Sequence, residues 1–138
     1  DALTDLCLRS KAVWGYDRAF MDACRDELTL TQEDLHTTKL QVAERDGGVI
    51  GVAQVSAEGA TAHLEKLFVE PGQLRAGAGR RLFEWAKVAA VDLGATHLVI
   101  EADPDAAPFY RRMGARDDGV AASGSIPGRV LPRLRLDL

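Results

Sequence analysis

Residues 67–82 read LFVEPGQLRAGAGRRL and run from an apolar, strand-like segment through a proline turn into glycines and arginines. A helical pattern begins near Gly77, so the glycines lie at a helix N-terminus. The first turn of a helix leaves about four N–H groups without intrahelical partners, and the helix dipole adds about half a positive charge there. Residues 71–81 carry three arginines and no acid. The stretch therefore predicts an anion site, most typically for phosphate; the alternative is an ordinary glycine-rich loop with solvated arginines.

The two common nucleotide-binding motifs do not fit this stretch. A Walker P-loop needs Lys followed by Ser or Thr after its last glycine, and here Arg80 and Arg81 follow Gly79. A Rossmann fingerprint needs a third glycine where Leu82 stands, and it needs a shorter connection between strand and helix. Both nucleotide folds are therefore disfavoured.

Composition and charge restrict the classes of partner. The chain has 138 residues, which suits one domain with its own core. A net charge of −4 argues against general binding to nucleic acid. No apolar run approaches the roughly 20 residues of a membrane span, so no membrane partner is expected. The three histidines are scattered without metal-ligand spacing, so no metal is expected. Cys7 and Cys24 favour core packing in a reducing cytoplasm over a disulfide or a reactive thiol.

Periodicity predicts a mixed α+β domain. The predicted helices cover residues 2–15, 17–28, 77–93 and 105–113, and the predicted strands cover 39–45, 49–57, 61–70, 96–102, 115–122 and 129–138. Thr31 and Asp34 resemble a capping box that opens one more short helical turn. Turn residues at Asp46, Gly47 and Gly48 join the first two strands as a hairpin, and a second turn predicts an antiparallel meander of three strands.

Two stretches resemble motifs of the GNAT superfamily of N-acetyltransferases. LFVEPGQLRAGAGRRL is similar to the acetyl-CoA-binding motif Arg/Gln-x-x-Gly-x-Gly/Ala, which follows an apolar strand and a proline turn. AAPFYRRMGA, residues 106–115, is similar to the second motif, in which an aromatic–Tyr pair precedes a glycine. The chain departs from the pattern at Leu74, where the family has Arg or Gln, and at Ala115, where it usually has an aromatic residue.

The resemblance implies one GNAT-like domain over residues 1–138, with the family's first strand expected N-terminal to residue 1. Its sheet would be mixed but mostly antiparallel and flanked by about four helices. A V-shaped splay would separate the third strand from the strand after the central helix. The implied co-substrate is acetyl-CoA, without a metal. The implied acceptor is the amine of a small molecule or peptide, attacked directly in a ternary complex. Many relatives are dimers, so a homodimer is among the assemblies that the resemblance allows.

The resemblance also assigns the cofactor-binding residues. Backbone N–H groups would hold the diphosphate, namely those of Arg75, Gly77, Ala78, Gly79 and Arg80. The backbone of Leu67 and Val69 would pair with the pantetheine arm as an added strand does, and the N–H of Leu67 would donate to the oxyanion.

Three residues are candidates for acid–base chemistry. Tyr110 of the second motif would act as the general acid toward the leaving thiolate, and the alternative is a core tyrosine. Strand alternation places His63, Glu65, Leu67 and Val69 on one face, with Lys66 and Phe68 on the other. Glu65 would accept the proton of the amine or attract a cationic amine, and His63 is the alternative base.

Two other functions stay open at this stage. One is a non-catalytic acyl-CoA-binding or sensing module, which the departure at Leu74 leaves open. The other is an acidic protein-interaction domain, which the arginines around Gly77 and Gly79 disfavour. Trp14, Tyr16 and Asp17 resemble the family's acceptor wall, although the pattern favours a core tryptophan and a helix cap. The sequence does not identify the acceptor amine.

Overall fold

The computed structural model describes residues 2–12, 16–22, 38–71, 77–123 and 126–138. Its strands are β1 (Lys39–Arg45), β2 (Gly48–Glu58), β3 (Thr61–Val69), β4 (His97–Glu101), β5 (Arg116–Ala122) and β6 (Val130–Asp137). Its helices are α1 (Ala2–Ala12), α2 (Ala78–Asp92) and α3 (Ala107–Arg112), and residues 18–22 are also helical. The predicted order is confirmed over these ranges. The rest of the predicted second helix and the predicted capping box lie outside the described residues.

The strands form one sheet in the order β1-β2-β3-β4-β6-β5. Neighbouring strands are antiparallel except β3 and β4, which are parallel. The β3–β4 ladder runs only from Thr61↔His97 to His63↔Val99, although β3 continues to Val69 and β4 to Glu101. The two strands therefore separate after His63, and the predicted V-shaped splay is confirmed.

Helices cover both faces of the sheet, and this buries a core on each side. α2 places one apolar face on the sheet, formed by Ala78, Leu82, Phe83, Ala86, Ala89 and Ala90. On the other face, Leu6 and Cys7 of α1 pack with Val52, and Phe68 lies against the same cluster. None of the helices in the described ranges has the length and apolar character needed to cross a membrane.

β3 departs from strict alternation at Glu65. Val55 of β2 pairs with Leu64, and the next residue, Gln54, pairs with Lys66. Glu65 is therefore an extra residue on β3, which is the definition of a β-bulge. A bulge bends the strand and shifts the alternation of its side chains by one position.

The bulge changes which residues share a face. Leu64 packs into the core beneath α2, and Leu67 and Val69 pack on that same side. His63 and Glu65 instead line a cavity on the opposite face. The prediction that His63, Glu65, Leu67 and Val69 share one face is therefore wrong, because one inserted residue separates the two pairs.

Gly51 of β2 lies directly beneath α2. A Cβ at this position would lie 2.8 Å from Leu82 Cδ1 and 3.2 Å from the backbone oxygen of Phe68. Overpacking of this kind typically costs about 1–3 kcal/mol. We expect Gly51→Ala to lower the free energy of unfolding by that amount in urea denaturation. The control is Gly48→Ala in the same strand, where the nearest atom would be Arg45 O at 3.7 Å; equal stability of the two variants would contradict the packing of α2 described above.

Candidate active site

Among the described residues, no side chain caps the N-terminus of α2. Gly77 is the N-cap residue and adopts a left-handed conformation with φ 82°, which favours glycine. The first turn contains no acidic residue, and the helix ladder begins where Arg81 N–H donates to Gly77 O at 3.1 Å. The N–H groups of Ala78, Gly79 and Arg80 precede this bond and have no intrahelical acceptor. These amides and the helix dipole together favour an anion at this end of α2.

Gly79 gives a ligand room to approach the backbone. A Cβ on Gly79 would lie 3.7 Å from the Phe109 ring and 3.7 Å from Val69 Cγ2, which are ordinary contacts. Packing inside the protein therefore does not demand glycine here. Predicted donor Arg75 lies outside the described residues, as does Leu74.

The backbone of β3 faces the gap beside β4. Glu70 N–H donates to Ile50 O of β2 at 2.7 Å. Amide directions alternate along a strand, so Leu67 and Val69 direct their N–H groups away from β2 and toward the gap. The Val69 N–H donates to Ser10 Oγ of α1 at 3.2 Å. The gap thus has an open strand edge, and of its two amides that of Val69 already has a hydrogen-bond acceptor.

Tyr110 lies on α3 with its ring in the core beneath α2. Its ring centroid is 5.7 Å from that of Phe83 and 5.2 Å from that of Phe109. The residue is only 7% exposed. Burial raises the pKa of Tyr110 well above its ordinary value, and the nearby charge of Asp103 adds to the increase. The hydroxyl therefore keeps its proton at neutral pH.

A cavity of about 530 Å³ lies where β3 and β4 separate, on the face opposite α2. It brings the two candidate bases together, and its lining is Ser56, Ala57, Glu58, His63, Leu64, Glu65, Val99, Glu101 and Leu131. The lining contains carboxylates from Glu58, Glu65 and Glu101, and neither Lys nor Arg contributes to it in the described ranges. The cavity therefore has a negative potential, which attracts cations.

The Glu65 carboxylate is held by a neighbouring strand. Ser56 Oγ of β2 donates to Glu65 Oε1 at 2.7 Å. This bond orients the carboxylate next to the cavity. Sequence reasoning did not identify Ser56 and Glu101 as site residues. The predicted hairpin could have indicated Ser56, because it places β2 beside β3. Glu101 depends on the parallel pairing of β3 with β4, for which the sequence holds no local signal.

Lys66 and Cys7 lie on the α1 side of the sheet. Lys66 is 9% exposed, and its Nζ donates to Gln54 Oε1 at 3.1 Å. Burial raises the pKa of the Cys7 thiol to about 11, with the charge of Lys66 acting in the opposite direction. Cys7 is therefore a packing residue and not a nucleophile. Cys24 lies outside the described residues.

The predicted acceptor wall is described only in part. The Tyr16 ring stacks on Phe20, with centroids 4.0 Å apart and an angle of 17° between the rings. Asp17 Oδ1 accepts from Phe20 N–H at 2.8 Å, which is the geometry of a helix cap. Trp14 lies outside the described residues. In the described ranges, no group of three or more His, Cys, Asp or Glu side chains is arranged to hold a metal ion.

Comparisons with known proteins identify relatives of this fold. Residues 6–122 match the family model of the acetyltransferase (GNAT) domain. Comparison with curated protein sequences gives no significant match.

Solved structures share the whole architecture. The GCN5-related N-acetyltransferase from Rhodopseudomonas palustris has a TM-score of 0.82 and 20% identity, covering 99% of this chain and 88% of its own. The PaiA N-acetyltransferase from Thermoplasma acidophilum, solved with coenzyme A, has a TM-score of 0.75 and 15% identity, and the match covers 99% of this chain and 91% of the other. An aminoglycoside 6′-N-acetyltransferase complexed with coenzyme A has a TM-score of 0.74 and 15% identity, and the match covers 98% of this chain and 88% of the other. At these identities the likeness establishes the fold.

The buried state of Tyr110 makes stability depend on pH. The unfolded chain releases a tyrosine proton near pH 10, whereas the folded chain retains it to higher pH. The contribution of the protonated Tyr110 hydroxyl to the free energy of unfolding is thus complete below about pH 10 and is lost as the pH rises further. We expect Tyr110→Phe to lose stability less steeply than the wild type between about pH 9 and 11, by up to ~1.4 kcal/mol per pH unit. Urea denaturation across that range measures both slopes, and identical slopes would contradict the burial of the hydroxyl.

Proposed function

Since the chain belongs to the GNAT family of acetyltransferases, we propose that it transfers the acetyl group of acetyl-CoA to a cationic amine. The observation that supports this proposal is the position of the acidic cavity, which lies where β3 and β4 separate. An acceptor in that cavity would meet a thioester held in the gap.

We assign the diphosphate of acetyl-CoA to the N-terminus of α2. The N–H groups of Ala78, Gly79 and Arg80 have no acceptor within the helix, N-cap Gly77 makes no side-chain cap bond, and the dipole favours a negative group. Gly77 N–H is a further predicted donor. Arg75 is the remaining predicted donor. The pantetheine arm would lie along the open edge of β3 at Leu67 and Val69, in the manner of an added strand.

The acceptor must lose a proton before it attacks. Glu65 would take that proton, directly or through a water molecule, and the Ser56 hydrogen bond supports this role by fixing the carboxylate. His63 lines the same cavity and is the alternative base. The acidic lining favours an ammonium group over a neutral or anionic acceptor because it attracts positive charge.

The reaction forms a nitrogen–carbon bond and breaks the carbon–sulfur bond of the thioester. The amine nitrogen attacks the carbonyl carbon, and the Leu67 N–H would stabilise the oxyanion. When the tetrahedral intermediate collapses, the electron pair of the breaking bond stays on sulfur. Tyr110 would donate its proton, or a hydrogen bond, to that thiolate. Because its pKa is raised, Tyr110 is suited chiefly to hydrogen-bond donation toward the developing charge.

The test of this function is release of free coenzyme A from acetyl-CoA across a panel of amines. We expect diamines and polyamines to react faster than neutral or carboxylate-bearing amines. We expect Tyr110→Phe to lower kcat by about 10²–10³-fold, the usual range for loss of one hydrogen-bond donor to a developing anion, while the Kd for coenzyme A changes little. Coenzyme A binding without turnover on any amine would instead support the non-catalytic module. Unchanged kcat in Tyr110→Phe would remove Tyr110 from the mechanism.

The acidic cavity generates a separate prediction for acceptor affinity. Glu101→Gln removes one negative charge from the lining while keeping the size of the side chain. We expect KM for a diamine to rise about tenfold, corresponding to ~1.4 kcal/mol, with KM for acetyl-CoA unchanged. The control is Glu84→Gln, which makes the same charge change on α2, where Glu84 pairs with Lys87 at 2.9 Å. The cavity would not be the acceptor site if both variants had the same KM for the diamine.

A further inference from the structure

A second polar cluster lies outside the acidic cavity and contains Lys11, Tyr16, Asp103 and Arg129; we refer to it as the Asp103 cluster. Lys11 Nζ donates to both carboxylate oxygens of Asp103, at 2.7 and 2.9 Å. Arg129 Nη2 lies 3.6 Å from Asp103 Oδ1 and donates to the Tyr16 hydroxyl at 2.9 Å. The cluster thus ties the end of α1, the segment after it and the β5–β6 connection to Asp103, the second residue after β4.

The Asp103 cluster is shielded from water. The side chains of Lys11 and Asp103 are each 10% exposed, and that of Arg129 is 20% exposed. Lys11 Nζ lies 5.4 Å from the centre of the Tyr16 ring, and Arg129 Cζ lies 4.8 Å from the centre of the Phe20 ring. The two cations are therefore held between one carboxylate and a pair of stacked rings.

The backbone of Asp103 begins the helix that carries Tyr110. Its carbonyl oxygen accepts the N–H of Ala106 at 2.9 Å and that of Ala107 at 3.1 Å. These bonds define the first turn of α3, and Tyr110 follows on the same short helix. A shift of Asp103 would therefore move Tyr110 with it.

Stability alone does not account for this arrangement. A buried ion pair contributes little net stability because desolvation offsets the attraction, and apolar side chains of similar size often replace such pairs without loss. What a buried, doubly bonded pair does provide is a fixed geometry between the segments that it joins.

We propose that Lys11, Asp103 and Arg129 are positioning residues that fix α3, and with it the Tyr110 hydroxyl, at the carboxyl end of β4, where the gap opens. This inference rests on the proposed acetyl transfer. The carboxylate of Asp103 also lies near enough to raise the pKa of Tyr110, which indicates electrostatic coupling between the two residues. Misplacement of a reacting group by about 1 Å can cost about 10²-fold in rate, so loosening the cluster lowers turnover before it lowers cofactor binding.

The test compares two substitutions on α1. Lys11→Met removes one of the two cations of the Asp103 cluster and leaves Arg129 in place. Arg9→Met is the matched control, because Arg9 makes an equally short two-bond pair with Glu70, at 2.9 and 2.7 Å, that is exposed and includes neither Asp103 nor a residue of α3. We expect Lys11→Met to lower kcat by roughly 10- to 100-fold with KM for acetyl-CoA within about twofold, and Arg9→Met to keep kcat within about twofold. Lys11→Arg, which keeps the charge, should restore most of kcat.

A double-mutant cycle identifies the path of the effect. If Lys11 acts through Tyr110, Lys11→Met should cost little further rate in the Tyr110→Phe background. Additive losses, or a Lys11→Met enzyme with wild-type kcat, would overturn the proposal. Should Lys11→Met fail to fold, Tyr16→Phe takes its place, because it deletes only the hydroxyl that Arg129 contacts, and the same outcomes apply with a smaller loss of kcat.

A spectroscopic readout separates this inference from the proposed function. The chain contains two tyrosines, so 3-fluorotyrosine labelling gives two ¹⁹F resonances, assigned with Tyr110→Phe. We expect Lys11→Met to shift or broaden the Tyr110 resonance and Arg9→Met to leave it unchanged. A wild type that binds coenzyme A but acetylates no amine would overturn the function alone. A Tyr110 resonance unaffected by Lys11→Met would overturn the positioning role alone.

Discussion

The site depends on the early separation of β3 and β4. A parallel pair of strands normally continues its ladder, because each unpaired backbone group that is buried costs free energy. Here the ladder stops at His63↔Val99, and β3 runs on to Val69 with one edge open. The gap gives a strand-like ligand somewhere to pair, and it lies between the N-terminus of α2 and the acidic cavity.

The bulge at Glu65 determines which side chains of β3 lie on each face of the sheet beside this gap. Without the extra residue, the Glu65 carboxylate and the Leu67 side chain would share one face of β3. With it, Leu67 packs toward α2, while Glu65 lies at the cavity beside Ser56. One inserted residue therefore places a candidate base on the acceptor side and keeps the apolar side chains under the helix. β-Bulges are common beside active sites.

The order of elements followed from periodicity and turn residues, since these are local signals. The strand predicted over residues 39–45 has the same ends as β1, and the glycine–arginine stretch correctly predicted the N-terminus of α2. The bulge could not be predicted, because Glu65 in a polar–apolar pattern is compatible with regular pairing. The Asp103 cluster could not be predicted either, since Lys11 and Asp103 are 92 positions apart and only the folded chain joins them. The site was therefore predictable where it is a motif and unpredictable where distant segments meet.

The hydrogen bond from Val69 N–H to Ser10 Oγ sets a limit on how a ligand can align with β3. An added strand pairs through alternate amides, and two such amides face the gap, at Leu67 and Val69. Because Ser10 occupies the second, a carbonyl of an amide-bearing chain would find its free donor only at Leu67, the donor proposed for the thioester oxyanion. Sliding such a chain along β3 would forfeit that donor without gaining another. In the proposed binding mode, a serine on α1 would therefore fix the register of the bound molecule, and with it the depth to which the reactive end of that molecule reaches.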